Sequence, residues 1–237
     1  MMFTIISLND ERLAYKRNIR KYVGADGEIC WPAVDGNKIT EDDFRKRDLY
    51  LRKDIWTNPK RGELGVWLSN FDRWELAGEL DEPLIVFEDD AVIDYTFKDK
   101  LDMFLDELPP DWDFAALWVP ENQRADYHYN VRWHNWKQYQ HGNHLPDELS
   151  NYRVNERNIA AKVYQGYGMV SLVYSPAGGR RLVRRARTYG ITTPVDCWIY
   201  EVAHMGLAAG YAPHPHFADI VTYDWQAETH VQKTERY

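Results

Sequence analysis

Cysteine is scarce in this chain. Cys30 and Cys197 are the only two in 237 residues, too few for a disulfide framework and outside the paired spacing of a zinc site. No apolar run approaches the roughly 20 residues that a membrane-spanning helix needs. There is no basic excess either. Twenty-nine Lys and Arg stand against 37 Asp and Glu, and the net charge of −8 disfavours wrapping nucleic acid, where phosphate neutralisation dominates affinity. Internal repeats and low-complexity tracts are absent. The opening MMFTIISLND has no charged segment before its apolar stretch and no small-residue cleavage pattern, so it reads as a first strand and not as a leader. A reducing cytoplasm is the expected compartment.

What is present suits a globular enzyme. The chain is 44% hydrophobic and 14% aromatic, ample for a core within a single domain over residues 1–237. Phe3–Leu8 is an apolar run of strand length, followed by the helix-start pair Asn9-Asp10 and a polar stretch to Val23. Ile29–Val34 reads as a second strand, closed by Asp35-Gly36. The charged stretch Lys38–Lys60 carries no clear period. From Gly62 a helical face emerges with Leu64, Trp67, Leu68, Phe71 and Trp74, and Leu84–Phe87 is a short, fully apolar strand.

A further helix has Leu101, Phe104, Leu105 and Leu108 on one face and ends at Pro109-Pro110. Phe114–Val119 and Tyr167–Tyr174 read as strands. Ser175 is an N-cap with Pro176 in the first turn of a helix to about Arg187. A helix after Pro194-Val195-Asp196 runs through Met205, and Leu207–Ala212 reads as a last strand. Alternating strands and helices predict an α/β layered fold with a largely parallel sheet. The stretch from about 120 to 162 breaks this pattern as an irregular insertion rich in aromatics and histidine.

Glu88, Asp89 and Asp90 carry the strongest chemical signal. Three carboxylates follow a buried strand, at the end where open α/β sheets take ligands. Adjacent acids repel, and a cation or solvent must screen them. Hard oxygen ligands favour Mg²⁺ or Mn²⁺, while a solvated turn capping the next helix is the structural alternative. Two basic patches stand out: Arg12, Lys16, Arg17, Arg20 and Lys21, and Arg180, Arg181, Arg184, Arg185 and Arg187. They read as solvated helix faces, or as one contact to a ligand phosphate. Tyr127, Tyr129, Trp133, Trp136 and Tyr139 in the insertion suit either sugar stacking or packing among themselves. His141 and His144 lack the partners a zinc site requires.

An ordered set of segments resembles glycosyltransferase family 25, the group of lipopolysaccharide sugar transferases related to collagen galactosyltransferases. The set comprises Ser7-Leu8 with Arg12, Pro32-Ala33-Val34-Asp35-Gly36, and Gly62-Glu63-Leu64-Gly65-Val66-Trp67-Leu68-Ser69. It continues through Glu88-Asp89-Asp90, Leu108-Pro109-Pro110-Asp111-Trp112-Asp113, Ser175-Pro176-Ala177-Gly178 and Pro194-Val195-Asp196. The resemblance implies a single GT-A-like, Rossmann-like domain and a nucleotide-sugar donor, expected to be a UDP-sugar. It also implies Mn²⁺ or Mg²⁺, and inversion at the anomeric carbon during transfer to a hydroxyl acceptor.

By that resemblance Ser7, Leu8, Arg12, Asp35, Gly36, Glu63, Glu88 and Asp89 surround the donor. Asp90 is the expected metal ligand, with His216 of His214-Pro215-His216 completing the site, although alternation also allows neither histidine to bind. Asp196 is the expected base for the acceptor hydroxyl, with helix capping as its structural alternative. The acceptor is a glycan or another hydroxyl compound, and a modified nucleobase stays open although nucleic acid is disfavoured. A catalytically degenerate sugar- or partner-binding relative is the competing function.

Overall fold

The computed structural model describes residues 1–8, 12–118, 160–163, 168–213 and 220–223. In chain order these form β1 (Met2–Ile6), α1 (Leu13–Val23), α2 (Glu41–Arg45), α3 (Arg61–Glu79), β2 (Leu84–Glu88), β3 (Ala91–Val92) and α4 (Phe97–Leu105). Then follow β4 (Phe114–Ala116), β5 (Ala160–Val163), β6 (Ser171–Tyr174), α5 (Pro176–Tyr189), α6 (Val195–His204), β7 (Gly210–Pro213) and β8 (Thr222–Tyr223). Six strands make one sheet in the order β1-β2-β6-β4-β7-β5, and β3 and β8 form a separate antiparallel pair. β1, β2, β4 and β7 share one direction, while β6 and β5 run against them. The sheet is therefore mixed, with four of its six strands running in one direction, within an α/β fold. Among the described residues no helix is long and apolar enough to cross a membrane.

Burial on both faces explains the unbroken apolar strands. Along β2, Leu84 and Val86 join the core shared with α3, α5 and α6, whereas Ile85 and Phe87 join the core shared with α1 and α4. The helical period from Gly62 becomes α3, and Ser175 caps α5 by accepting from the Gly178 N–H at 2.9 Å.

Three expectations are corrected. Ile29–Val34 is not a strand. It is extended chain held to α3: the buried Arg73 guanidinium donates to the carbonyls of Trp31 (2.6 Å) and Pro32 (3.1 Å), and Ser69 Oγ accepts from the Val34 N–H at 2.8 Å. Only Ile29 reaches a strand, its N–H donating to the Phe3 carbonyl of β1 at 2.7 Å, and beyond it side chains of α3 take the place of a neighbouring strand. α4 stops at Leu105, before Leu108, which packs against the core from the turn that follows. The end of the supposed irregular stretch is ordered, since Ala160–Val163 pairs with β7 as an edge strand. The rest of the insertion lies outside the described residues, as do Tyr127, Tyr129, Trp133, Trp136, Tyr139, His141 and His144.

Two sequence motifs lock to each other. A Cβ on Gly178 would lie 1.9 Å from the Asp113 carbonyl oxygen, so the start of α5 needs glycine to approach the Trp112-Asp113 segment. Ser175 Oγ donates to the Trp112 carbonyl at 2.7 Å, and the buried Asp113 carboxylate accepts from Arg181 (2.8 Å) and the Ala209 N–H (2.7 Å). Gly65 plays the matching part on α3, where a Cβ would sit 2.7 Å from the Val34 carbonyl. Much of the later basic patch is spent in this way on intramolecular contacts, with Arg187 bonded to Glu75 and Arg180 to the Gly78 carbonyl.

Candidate active site

Strand parity decides where the three acids point. Glu88 is the last residue of β2 and shares the face of Leu84 and Val86, which is covered by α3 and α6. Asp89 and Asp90 lie in the turn beyond it. Ile6 is in register with Glu88, so β1 leaves the sheet at the same edge and carries Ser7, Leu8 and then Arg12 toward that turn. There Arg12 Nη1 donates to Asp89 Oδ1 at 2.8 Å and to Asp90 Oδ2 at 3.0 Å. Burial works against the guanidinium charge, but the two carboxylates outweigh it and raise the pKa of Arg12. Asp90 Oδ1 is buried and has no hydrogen-bond partner among the described residues.

The opposite wall comes from α6. Trp67, Trp74 and Trp198 form a cluster whose ring centroids are each 5.4 Å apart, fixing α6 against α3. Trp67 Nε1 donates to the Thr193 carbonyl at 3.2 Å and anchors the residues just before α6. Asp196 is not the cap of that helix. Pro194 holds the cap position, and Asp196 lies one residue inside the first turn. Its Oδ1 accepts from the Cys197 N–H at 2.8 Å, and its Oδ2 accepts from the Gly168 N–H at 3.1 Å. Gly168 has φ +83°, and a Cβ there would lie 2.8 Å from the Trp118 ring. Glycine is thus required both by its conformation and by the close approach.

Between these walls lies a cavity of about 570 Å³, lined by Glu63, Val66, Glu88, Gly168, Met169, Pro194, Val195, Asp196 and Cys197. That size suits a small-molecule site. Glu63 projects from the start of α3, where it also accepts from the Lys60 N–H at 2.6 Å. Asp35 and Gly36 are not in this lining. They sit in a turn against the amino end of α3, and a Cβ on Gly36 would lie 2.1 Å from the Arg61 carbonyl oxygen. Sequence reasoning does not single out Val66, Gly168, Met169 or Cys197; only a glycine inside the Tyr167–Tyr174 strand pattern hints at a close approach.

Burial, with the nearby Asp90, Asp196 and Asp89, raises the Glu88 carboxyl to about 8 from its ordinary 4.5, against the opposing pull of Arg12. Burial likewise raises Asp90, with Arg12 opposing and Asp89 adding to the rise. For Glu88 the sign is clear. An acid whose folded pKa exceeds its unfolded one gives full stability below about 4.5 and loses it as pH rises toward about 8. Chemical denaturation of the metal-free protein should therefore show stability falling over that window, by at most about 1.4 kcal/mol per pH unit from this one group. Glu88→Gln should remove its share of the slope. A variant slope equal to the native one contradicts the shift.

The sequence model of glycosyltransferase family 25, described as an LPS biosynthesis protein, matches residues 4–199. The chain belongs to glycosyltransferase family 25. The match covers every residue that lines the cavity and the Arg12–Asp89–Asp90 cluster, and membership in this family supports glycosyltransferase activity. A comparison with individually curated proteins finds no match. Among the described residues no group of three metal-type ligands is assembled, and His214 and His216 lie outside those residues.

Proposed function

We propose that this family 25 glycosyltransferase moves a sugar from a nucleotide-sugar donor, a UDP-sugar first, to a hydroxyl of a glycan acceptor with inversion. The observation that carries the reading is one cavity lined by both Glu88, at the carboxyl end of β2, and Asp196, at the start of α6. A base on the acceptor side and a polar group on the donor side of one small-molecule cavity suit single displacement.

Asp196 takes the proton of the acceptor hydroxyl. The acceptor oxygen then forms its bond to the anomeric carbon on the face opposite the nucleoside diphosphate, and the bond to the diphosphate breaks. The Gly168 and Cys197 N–H groups fix the Asp196 carboxylate, and each oxygen keeps a second lone pair for the acceptor. Glu88 faces the ribose or donor sugar. Ser7, Leu8, Arg12, Glu63 and Asp89 belong to the donor side, while Asp35 and Gly36 act through the amino end of α3.

The residues fit a divalent ion. Asp90 Oδ1 is a buried oxygen with no hydrogen-bond partner among the described residues, and the two aspartates offer hard oxygen donors. Asp90, with Asp89, would hold Mn²⁺ or Mg²⁺, and His216 is the proposed late ligand. Such an ion supplies charge stabilisation to the departing diphosphate. The two cysteines, both unbridged, agree with action in the reducing cytoplasm.

Incubation with a panel of nucleotide sugars, with and without Mn²⁺, tests the reading. Slow donor hydrolysis that depends on Mn²⁺ is expected, with one nucleotide preferred. Nucleotide-sugar binding without hydrolysis or transfer under any condition would favour a degenerate binding protein.

A further inference from the structure

Arg12 occupies the place where the proposed function puts a divalent ion. One guanidinium nitrogen bridges Asp89 and Asp90 at 2.8 and 3.0 Å, and the Arg12, Asp89 and Asp90 side chains are only 12%, 12% and 6% exposed. Two carboxylates this close and this sheltered need a counter-charge, and Arg12 supplies it from within the chain. Yet the pair is not saturated, because the buried Asp90 Oδ1 has no partner among the described residues. A cation using that oxygen would stand beside a guanidinium, and like charges at such range repel. Metal and Arg12 thus compete for one pair of acids.

We infer that Arg12 is a resident counter-cation at Asp89 and Asp90, and that a divalent ion binds there only as Arg12 gives up its hold on those carboxylates. The inference rests on the metal reading above. Its consequence is a coupling between ion loading and the donor. An ion alone must work against two charge-assisted hydrogen bonds, whereas an ion arriving with a nucleoside diphosphate brings phosphate oxygens that can accept from the released guanidinium. Ion and nucleotide therefore load together, and the ion-free acids stay neutralised without solvent metal. Lysine keeps the charge but ends in a more strongly hydrated ammonium on a shorter side chain, so it is the weaker counter-cation at a sheltered pair of acids.

The test is Mn²⁺ binding by electron paramagnetic resonance to the full chain, without donor, in the native protein and in Arg12→Gln, Arg12→Lys and Arg17→Gln. Arg17 lies exposed on α1, so its replacement removes the same unit of charge away from the acids. The expected result is Mn²⁺ affinity at least about ten-fold tighter in Arg12→Gln, a smaller gain in Arg12→Lys, and no change in Arg17→Gln. Thermal melts give a second readout. Arg12→Gln should melt lower than the native protein without metal and recover more on adding Mn²⁺. If Arg12→Gln does not fold well enough to assay, Arg12→Lys carries the test with the same sign.

Unchanged or weaker Mn²⁺ binding in the Arg12 variants would overturn the inference and make Arg12 a support for the ligands. In that case Mn²⁺ binding by the native protein would leave the metal reading standing. If no variant binds Mn²⁺, even with a nucleoside diphosphate present, the inference and the metal reading fall together. Donor hydrolysis in a chelator would then show whether transferase chemistry survives them.

Discussion

Asp196→Asn is expected to lower the transfer rate by a factor of about 10² to 10⁴, the usual worth of general-base assistance, while nucleotide affinity stays nearly unchanged. The base matters only once the acceptor hydroxyl begins to attack, so donor binding does not register its loss. Asparagine is the informative replacement. Its amide oxygen can still accept one of the two backbone N–H bonds that Asp196 receives from Gly168 and Cys197. Because Pro194 and not Asp196 holds the cap position of α6, little helix stability is at stake. The stability cost should be about 1 kcal/mol, the scale of one hydrogen bond. Steady-state transfer kinetics, nucleotide titration and a thermal melt together read the outcome. A folded variant with near-normal turnover would move the base elsewhere.

Asp90→Ala should abolish transfer and remove the Mn²⁺-dependent part of the thermal stabilisation given by nucleotide. Without ligand the variant should melt close to the native protein, for a specific reason. Asp90 is a buried carboxyl with one oxygen lacking a partner among the described residues and the other bonded to Arg12, which keeps Asp89 as its counter-charge. Removing such a group relieves about as much desolvation as it sacrifices in bonding. Loss of function with the fold retained separates a site residue from a structural one. Transfer at the native rate in a chelator would make the metal assignment wrong.

Local sequence carried the elements. The period of 3.6 along Leu64, Trp67, Leu68, Phe71 and Trp74 marks α3, and the Ser-Pro start of α5 is a cap whose chemistry needs nothing beyond four consecutive residues. The apolar run before Glu88 marks a strand buried on both faces, and the acids stand at its carboxyl end, where open α/β sheets take their ligands. Such signals are legible because helix and strand periods are properties of the backbone itself. The Ile29–Val34 expectation fails for the same reason, since apolar residues bounded by a turn look alike whether a strand or the side chains of Arg73 and Ser69 take up their backbone groups.

Tertiary structure decided the rest. No local pattern shows that β6 inserts antiparallel between β2 and β4, or that this brings Gly168 across to Asp196. Nor does any local pattern pair Arg12 with Asp89 and Asp90, 77 and 78 positions away. The parity of β2 turns Glu88 toward α6 and leaves its two neighbours in the turn for Arg12, which splits three adjacent acids between two environments. The sequence alone determined the period of α3, the capped start of α5, the apolar run of β2 and the acids at its end. Which distant groups meet those acids depends on how strand edges and helix faces pack together, and that packing follows from the whole set of long-range contacts and from no single segment.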